Sequence, residues 1–80
     1  MMQQALILAS GATNPAADTL LTSGLKPFIH KIIDLQRIDL GHRTIIGLLI
    51  ECDPAHFSAI ESDLIAIGDA NSFDIAMELL

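Results

Sequence analysis

The chain has 80 residues, with ten Asp or Glu against four Lys or Arg and a formal net charge of −6. That length holds one domain, residues 1–80, with a thin core that hides only about 60–65% of the surface exposed on unfolding. A single cysteine, Cys52, excludes a disulfide framework and a paired-cysteine zinc site, the 51% hydrophobic content excludes disorder, and the acidic balance argues against nucleic acid.

Gln4–Ser10 reads as a short buried strand, because Ala5 to Ala9 is apolar on both faces. Gly11 to Pro15 breaks it. Asn14 before Pro15 is a helix-start signal: Asn caps free N–H groups and Pro suits the first helical turn. The helix runs from Ala16 to Ser23, with Ala17, Leu20 and Leu21 on one face and Gly24 as its stop. Pro27–Asp39 reads as a strand that becomes irregular near Ile32-Ile33, where alternation fails. Leu40 to Arg43 is a polar hairpin turn.

Thr44–Cys52 is the strongest strand and belongs in the middle of a sheet; Gly47 within it suggests a close backbone approach. Asp53-Pro54 repeats the cap-then-proline signal. Phe57, Ile60, Leu64 and Ile67 make one helical stripe, ended by Gly68. Ser72–Leu79 alternates Phe73, Ile75, Met77 and Leu79 with polar or small residues, as an edge strand does.

Strand, helix, strand, strand, helix, strand is the α+β, ferredoxin-like βαββαβ order. It predicts a four-stranded antiparallel sheet with two helices on one face. A thin-cored domain cannot hide so many Leu and Ile alone, so the surplus predicts a contact with another subunit or domain.

No apolar run approaches the ~20 residues a bilayer requires, so no membrane partner is expected. Met1 to Gln4 lacks the basic start of a secretory signal, which with one unpaired thiol makes the cytoplasm the expected compartment. His30, His42 and His56 fall on different elements without metal-ligand spacing, and Cys52 reads as an apolar filler. No metal site and no nucleophile–base pair emerge. The chain alone is expected to carry no catalytic residues and no cofactor.

The loop Gly11-Ala12-Thr13-Asn14-Pro15-Ala16, the element order and the length resemble the ACT domain, a regulatory amino-acid-binding module. The stretch Gly41 to Cys52, a basic turn running into an apolar strand broken by one Gly, is similar to the N-terminal ACT region of some bacterial phosphoserine phosphatases. Glycine-cleavage regulatory proteins carry similar domains. Members of the family often have Gly-x-Asp-x-Pro-Gly at the first loop. Gly11 and Pro15 match; Thr13 stands where the Asp falls and Ala16 where the second Gly falls. Backbone N–H groups at a helix start can hold a carboxylate. The resemblance therefore implies a ligand site at Gly11, Ala12, Thr13, Asn14, Pro15, Ala16 and Ala17, together with Lys31 and Asp34.

It also implies a homodimer that binds serine or another amino acid at its interface. The implied parent is a phosphoserine phosphatase of serine biosynthesis, whose catalytic domain follows in the same chain and binds Mg²⁺. The 80 residues then read as an excised N-terminal regulatory domain, since Asp-x-Asp-x-Thr does not occur in them. The alternatives are a free-standing amino-acid sensor of the glycine-cleavage regulator type and a plain dimerisation module.

Overall fold

The computed structural model covers residues 1–80. Strand β1 (Gln3–Ala12) leads to helix α1 (Ala17–Leu25), the hairpin β2 (His30–Leu40) and β3 (Arg43–Cys52), helix α2 (Phe57–Asn71) and strand β4 (Phe73–Leu79). The strands form one sheet in the order β2-β3-β1-β4, with every neighbouring pair antiparallel. This is the ferredoxin-like arrangement the element order predicts.

The two central strands have one face under the helices and one bare. Ala5, Ile7 and Ala9 of β1 are buried, as are Ile46, Leu48, Ile50 and Cys52 of β3. They meet Ala17, Leu21 and Leu25 of α1, Ile60 and Leu64 of α2, and Phe73. Leu8 and Ile45 point the other way and are exposed. The apolar run of β1 thus serves two environments rather than one buried one.

Both helices outrun the glycines expected to stop them. Helix α1 continues through Gly24 to Leu25, and α2 through Gly68 to Asn71. Each glycine marks a close approach. A Cβ on Gly24 would lie 2.6 Å from Ile67 Cδ1, and one on Gly68 would lie 2.6 Å from the carbonyl oxygen of Phe73. The true stop of α2 is Ser72, in the left-handed region at φ 62°, whose N–H donates to Gly68 O. Gly47 behaves in the opposite way to its expectation. A Cβ there would meet nothing nearer than Leu8 Cδ2 at 3.9 Å, on the bare face.

The β2–β3 hairpin turns at Gly41 and His42, with Gly41 at φ 59°. Strand β2 starts at His30 rather than Pro27, because Phe28 N–H closes a turn onto Leu25 O. Its irregularity is a β-bulge: Ile32 faces Ile50, Asp34 faces Leu49, and Ile33 is the extra residue. That bulge inverts the face of everything after it. Before it His30 and Ile32 share rows with the helix-side residues Cys52 and Ile50; after it Leu35, Arg37 and Asp39 do, opposite Leu48, Ile46 and Thr44.

Candidate functional site: the first loop and its arginine clasp

Gly11 is buried at the end of β1, in one row with Thr44 and Phe73. Ala12 and Thr13 are exposed, and Thr13 N–H donates to His42 O at 2.9 Å, tying the loop to the hairpin turn. Asn14 does not cap α1 directly. Its Oδ1 accepts from Ala16 N–H at 2.9 Å and its carbonyl accepts from Ala17 N–H at 3.1 Å. This is an Asx turn one step ahead of the helix, whose N-cap Ala16 makes no side-chain bond. Pro15 and Ala16 are exposed; Ala17 is in the core. The seven loop residues expected to form a site are therefore one ordered bend.

Lys31 and Asp34 do not join that bend within one chain. Gly11 shares its row with Thr44 and Asp39, whereas Asp34 faces Leu49 and Lys31 faces Glu51, toward the other end of β2. Asp34 instead borders a shallow hollow of about 320 Å³ with Leu6, Gln36, Gly47 and Leu49 on the bare face.

The residue that does reach the loop is Arg37. Its Nη2 donates to Asn14 O at 2.9 Å, and its Nη1 to Asp18 Oδ1 at 3.2 Å and Pro15 O at 3.4 Å. Its Nε pairs with Asp39 Oδ2 at 3.3 Å. Behind it, the buried Thr44 donates from Oγ1 to Asp39 Oδ1 at 2.7 Å. The Thr44 hydroxyl first, and then Arg37, hold the Asp39 carboxyl below the usual carboxylate range. One guanidinium thus fastens the β1–α1 loop and the start of α1 onto β2. Two carboxylates flank one cation, which leaves the cluster with a net negative charge.

Arg37, Asp18, Asp39 and Thr44 form no motif along the sequence. The chain's four Lys and Arg do not gather into a patch. Lys26 follows α1, Lys31 lies near the start of β2, Arg37 is on the helix side, and Arg43 lies on the bare side near Ser10 Oγ. The irregularity at Ile32-Ile33 was the one available signal, since it decides which face Arg37 takes.

The histidines stay apart. His30 Nδ1 lies 2.8 Å from Phe28 O, His42 is in the hairpin turn, and His56 packs near the Phe28 ring with its Nδ1 buried and unpartnered. No group of three or more His, Cys, Asp or Glu is placed to hold a metal ion. Cys52 is fully buried; burial first, and the neighbouring Asp53 charge second, push its thiol up. The clasp has hydrogen-bonding and ionic capacity but no nucleophile beside a base. It is suited to holding a shape and not to bond cleavage.

The fold is that of ACT-domain proteins of known structure. An ACT domain protein from Streptococcus pneumoniae superimposes with a TM-score of 0.83 at 14% identity, over 96% of this chain and 89% of that one. A protein assigned as a glycine cleavage system transcriptional repressor superimposes with a TM-score of 0.90 at 20% identity, over all of this chain and 47% of that one. A formyltetrahydrofolate deformylase from Burkholderia mallei gives 0.86 at 11% identity, over 96% of this chain and 28% of that one. The chain thus spans about half the length of the repressor and less of the deformylase. At these identities the fold is what is shared. No family model matches the chain, and no curated protein matches it in sequence. No helix is long and apolar enough to cross a membrane.

Proposed function

We propose that the chain is an amino-acid-sensing regulatory domain that pairs with a second copy through β2. The observation that carries this reading is the position of the clasped loop beside an apolar sheet edge. Strand β2 is an edge strand of 11 residues, and Ile32, Ile33 and Leu40 on it are exposed. A long exposed apolar edge is a template for pairing.

Antiparallel pairing of two β2 edges would carry the sheet across both copies and set the clasp of each, on the helix side, beside the edge strand of the other. The loop and clasp of one copy would then border β2 of its partner, while Lys31 and Asp34, on the bare side of the sheet, would stay outside that site. A small amino acid there would meet backbone N–H groups through its carboxylate and the negative cluster through its ammonium. Glycine and serine are the candidate ligands, in keeping with a regulator of the glycine-cleavage kind. The cytoplasm, where Cys52 stays a thiol, is the compartment this reading assigns.

The reading as the regulatory domain of a phosphoserine phosphatase rests on the Gly11–Ala16 loop and the Gly41–Cys52 hairpin. It requires a reading frame that continues into Asp-x-Asp-x-Thr and a Mg²⁺-binding catalytic domain. The test of the shared core is calorimetry with glycine and serine on the chain, joined to sedimentation with and without each. Ligand heat that disappears in Ile33→Lys together with the dimer supports a site shared between copies. A dimer without heat for either amino acid leaves a plain pairing module and defeats the sensing claim.

A further inference from the structure

Strand β2 has one side bonded to β3 and one side free. Which of its residues offer their main chain to the free side follows from the hairpin. Leu40 and Arg43 flank a two-residue turn, so they form a hydrogen-bonded pair. The alternation of an antiparallel ladder makes Ile38–Ile45, Gln36–Gly47 and Asp34–Leu49 hydrogen-bonded pairs as well. Leu35, Arg37 and Asp39 therefore turn their N–H and C=O groups outward. Between the bulge at Ile33 and the turn, residues 34–40 offer a regular free edge. Arg37 and Asp39 stand on its helix side, 3.3 Å apart. On its bare side stand Leu40, which is exposed, and Ile38, which is 52% exposed. We propose that two copies join their β2 edges about a two-fold axis at Ile38, so that the partner's Asp39 faces each Arg37. This rests on the β2 pairing proposed above and fixes its register.

The other axes fail on the bulge or on charge. In a two-fold antiparallel pair, the residue on the axis fixes every partner. An axis at Leu35 or Gln36 runs Ile33 into the ladder, opposite Arg37 or Asp39, where the extra residue interrupts pairing. An axis at Arg37 opposes two guanidinium groups, and one at Asp39 opposes two carboxylates. Like charges directly opposite are repulsive. An axis at Ile38 sets Arg37 opposite the partner's Asp39, and Asp39 opposite the partner's Arg37.

All four are outward-facing residues, so each of the two pairs exchanges its main-chain N–H···O=C bonds. Their side chains, on the helix side, make a ring of alternating charge: Arg37, its own Asp39, the partner's Arg37 and the partner's Asp39. A network of this kind contributes where an isolated exposed ion pair does not. Asp39 is already oriented for it, since Thr44 Oγ1 holds one carboxylate oxygen at 2.7 Å while the side chain stays half-exposed. On the bare side, Ile38 meets the partner's Ile38 at the closer, non-hydrogen-bonded spacing, and Leu40 lies opposite the partner's Gln36. The count ends with Asp34 level with the partner's His42. Ile33 therefore abuts the partner's hairpin turn, which keeps Ile33→Lys disruptive. Each Arg37 then has its own first loop on one side, through Asn14 O, and the partner's carboxylate on the other.

The test is cross-linking through one introduced thiol, read beside sedimentation of the same variants. Cys52 is fully buried and takes no part. A residue meets its own counterpart only on the axis. Ile38→Cys brings two Cβ atoms to about 4.5–5.5 Å, near enough for a disulfide, and mild oxidation should convert it to a covalent dimer. Gln36→Cys and Leu40→Cys should each stay uncross-linked, because each thiol lies about four residues, ~14 Å along the strand, from its own counterpart. Mixed in equal amounts, those two should cross-link to each other. Asp39→Asn should weaken the dimer several-fold. A dimer that cross-links through Gln36→Cys or Leu40→Cys alone keeps the β2 pairing and overturns this register, as does one indifferent to Asp39→Asn. A chain that stays monomeric at high micromolar concentration, or a dimer that none of the three thiols joins, overturns the β2 pairing and the register with it.

Discussion

Replacing Arg37 by Met isolates what the clasp contributes. The Arg37 side chain is 22% exposed, and Met keeps most of its apolar stem while removing the guanidinium. The lost hydrogen bond to Asn14 O, at 2.9 Å and charge-assisted, is the largest single contribution, about 1–1.5 kcal/mol in this partly solvated setting. The ion pair with Asp18, whose side chain is 41% exposed, adds roughly 0.2–1 kcal/mol. The Asp39 carboxylate is half-exposed, so solvent screens its pairing with Arg37. The expected loss is therefore about 1–2.5 kcal/mol, below the ~2–5 kcal/mol of a Leu48→Ala cavity but well within reach of a urea titration. The same variant should speed hydrogen exchange at Thr13, whose amide depends on the loop lying against the hairpin turn. Arg37→Lys keeps the charge without the fork and should recover less than half of the loss. A Met variant within about 0.5 kcal/mol of the parent, with unchanged exchange at Thr13, would refute the claim that Arg37 holds the loop.

Gly11→Ala and Gly47→Ala should move stability in opposite directions in parallel urea melts. The methyl on Gly11 meets the backbone of Ser72 and Phe73 and costs ~1–3 kcal/mol, whereas the one on Gly47 enters open space and gains up to about 1 kcal/mol by restricting the unfolded chain. The Asp39 carboxyl, lowered in the folded state, should titrate below the ordinary 3.8 in a carbon-detected NMR titration and move up toward it in Thr44→Val. The sign follows from linkage: because folding lowers this pKa, the ionised Asp39 supports the fold above about pH 4. That support is lost as pH falls below 3.8 through the folded value, and Thr44→Val should flatten that part of the acid-unfolding curve.

The elements were legible because each carries its own period. The Phe57, Ile60, Leu64, Ile67 stripe and the alternation of β4 need no tertiary information, and the irregularity at Ile32-Ile33 showed as a failure of alternation. What stayed hidden depends on partners far along the chain. Gly24 and Gly68 look like helix stops because a glycine near a helix end usually is one; that Ile67 lies over Gly24, and the Phe73 carbonyl over Gly68, follows only from how α1, α2 and β4 pack. Gly47 shows the converse, since a strand glycine can face emptiness as well as a close neighbour. The clasp was hidden by parity. Counting alternation straight through from Ile32 puts Arg37 on the bare face; one extra residue at Ile33 turns it to the helix side, where the loop passes. Lys31, on the far side of the bulge, stays near Glu51 for the same reason.

The distribution of surplus apolar residues says which sides of the domain face water. The outer side of α2 carries Glu61, Ser62, Asp63 and Asp69, with Ile65 the one large apolar residue strongly exposed there. The sheet is different: Ile32, Ile33, Ile38 and Leu40 crowd its β2 edge, and Leu8 and Ile45 occupy its bare face. A chain with only 16 of 80 residues buried gains little from further apolar residues unless a second surface covers them. The large exposed apolar residues therefore lie mainly on the sheet and its β2 edge, with few on the layer of helices. Arg37 sits where the two meet, with one end of its guanidinium on the start of α1 and the other on Asp39 of the edge strand. A ligand that competes for Asp18 or Asp39 must loosen the loop from the edge strand. A ligand that adds a partner for the excess carboxylate must tighten it. Under the proposed sensing reading, ligand binding and edge pairing would share one set of hydrogen bonds, which is the physical requirement for one to report on the other.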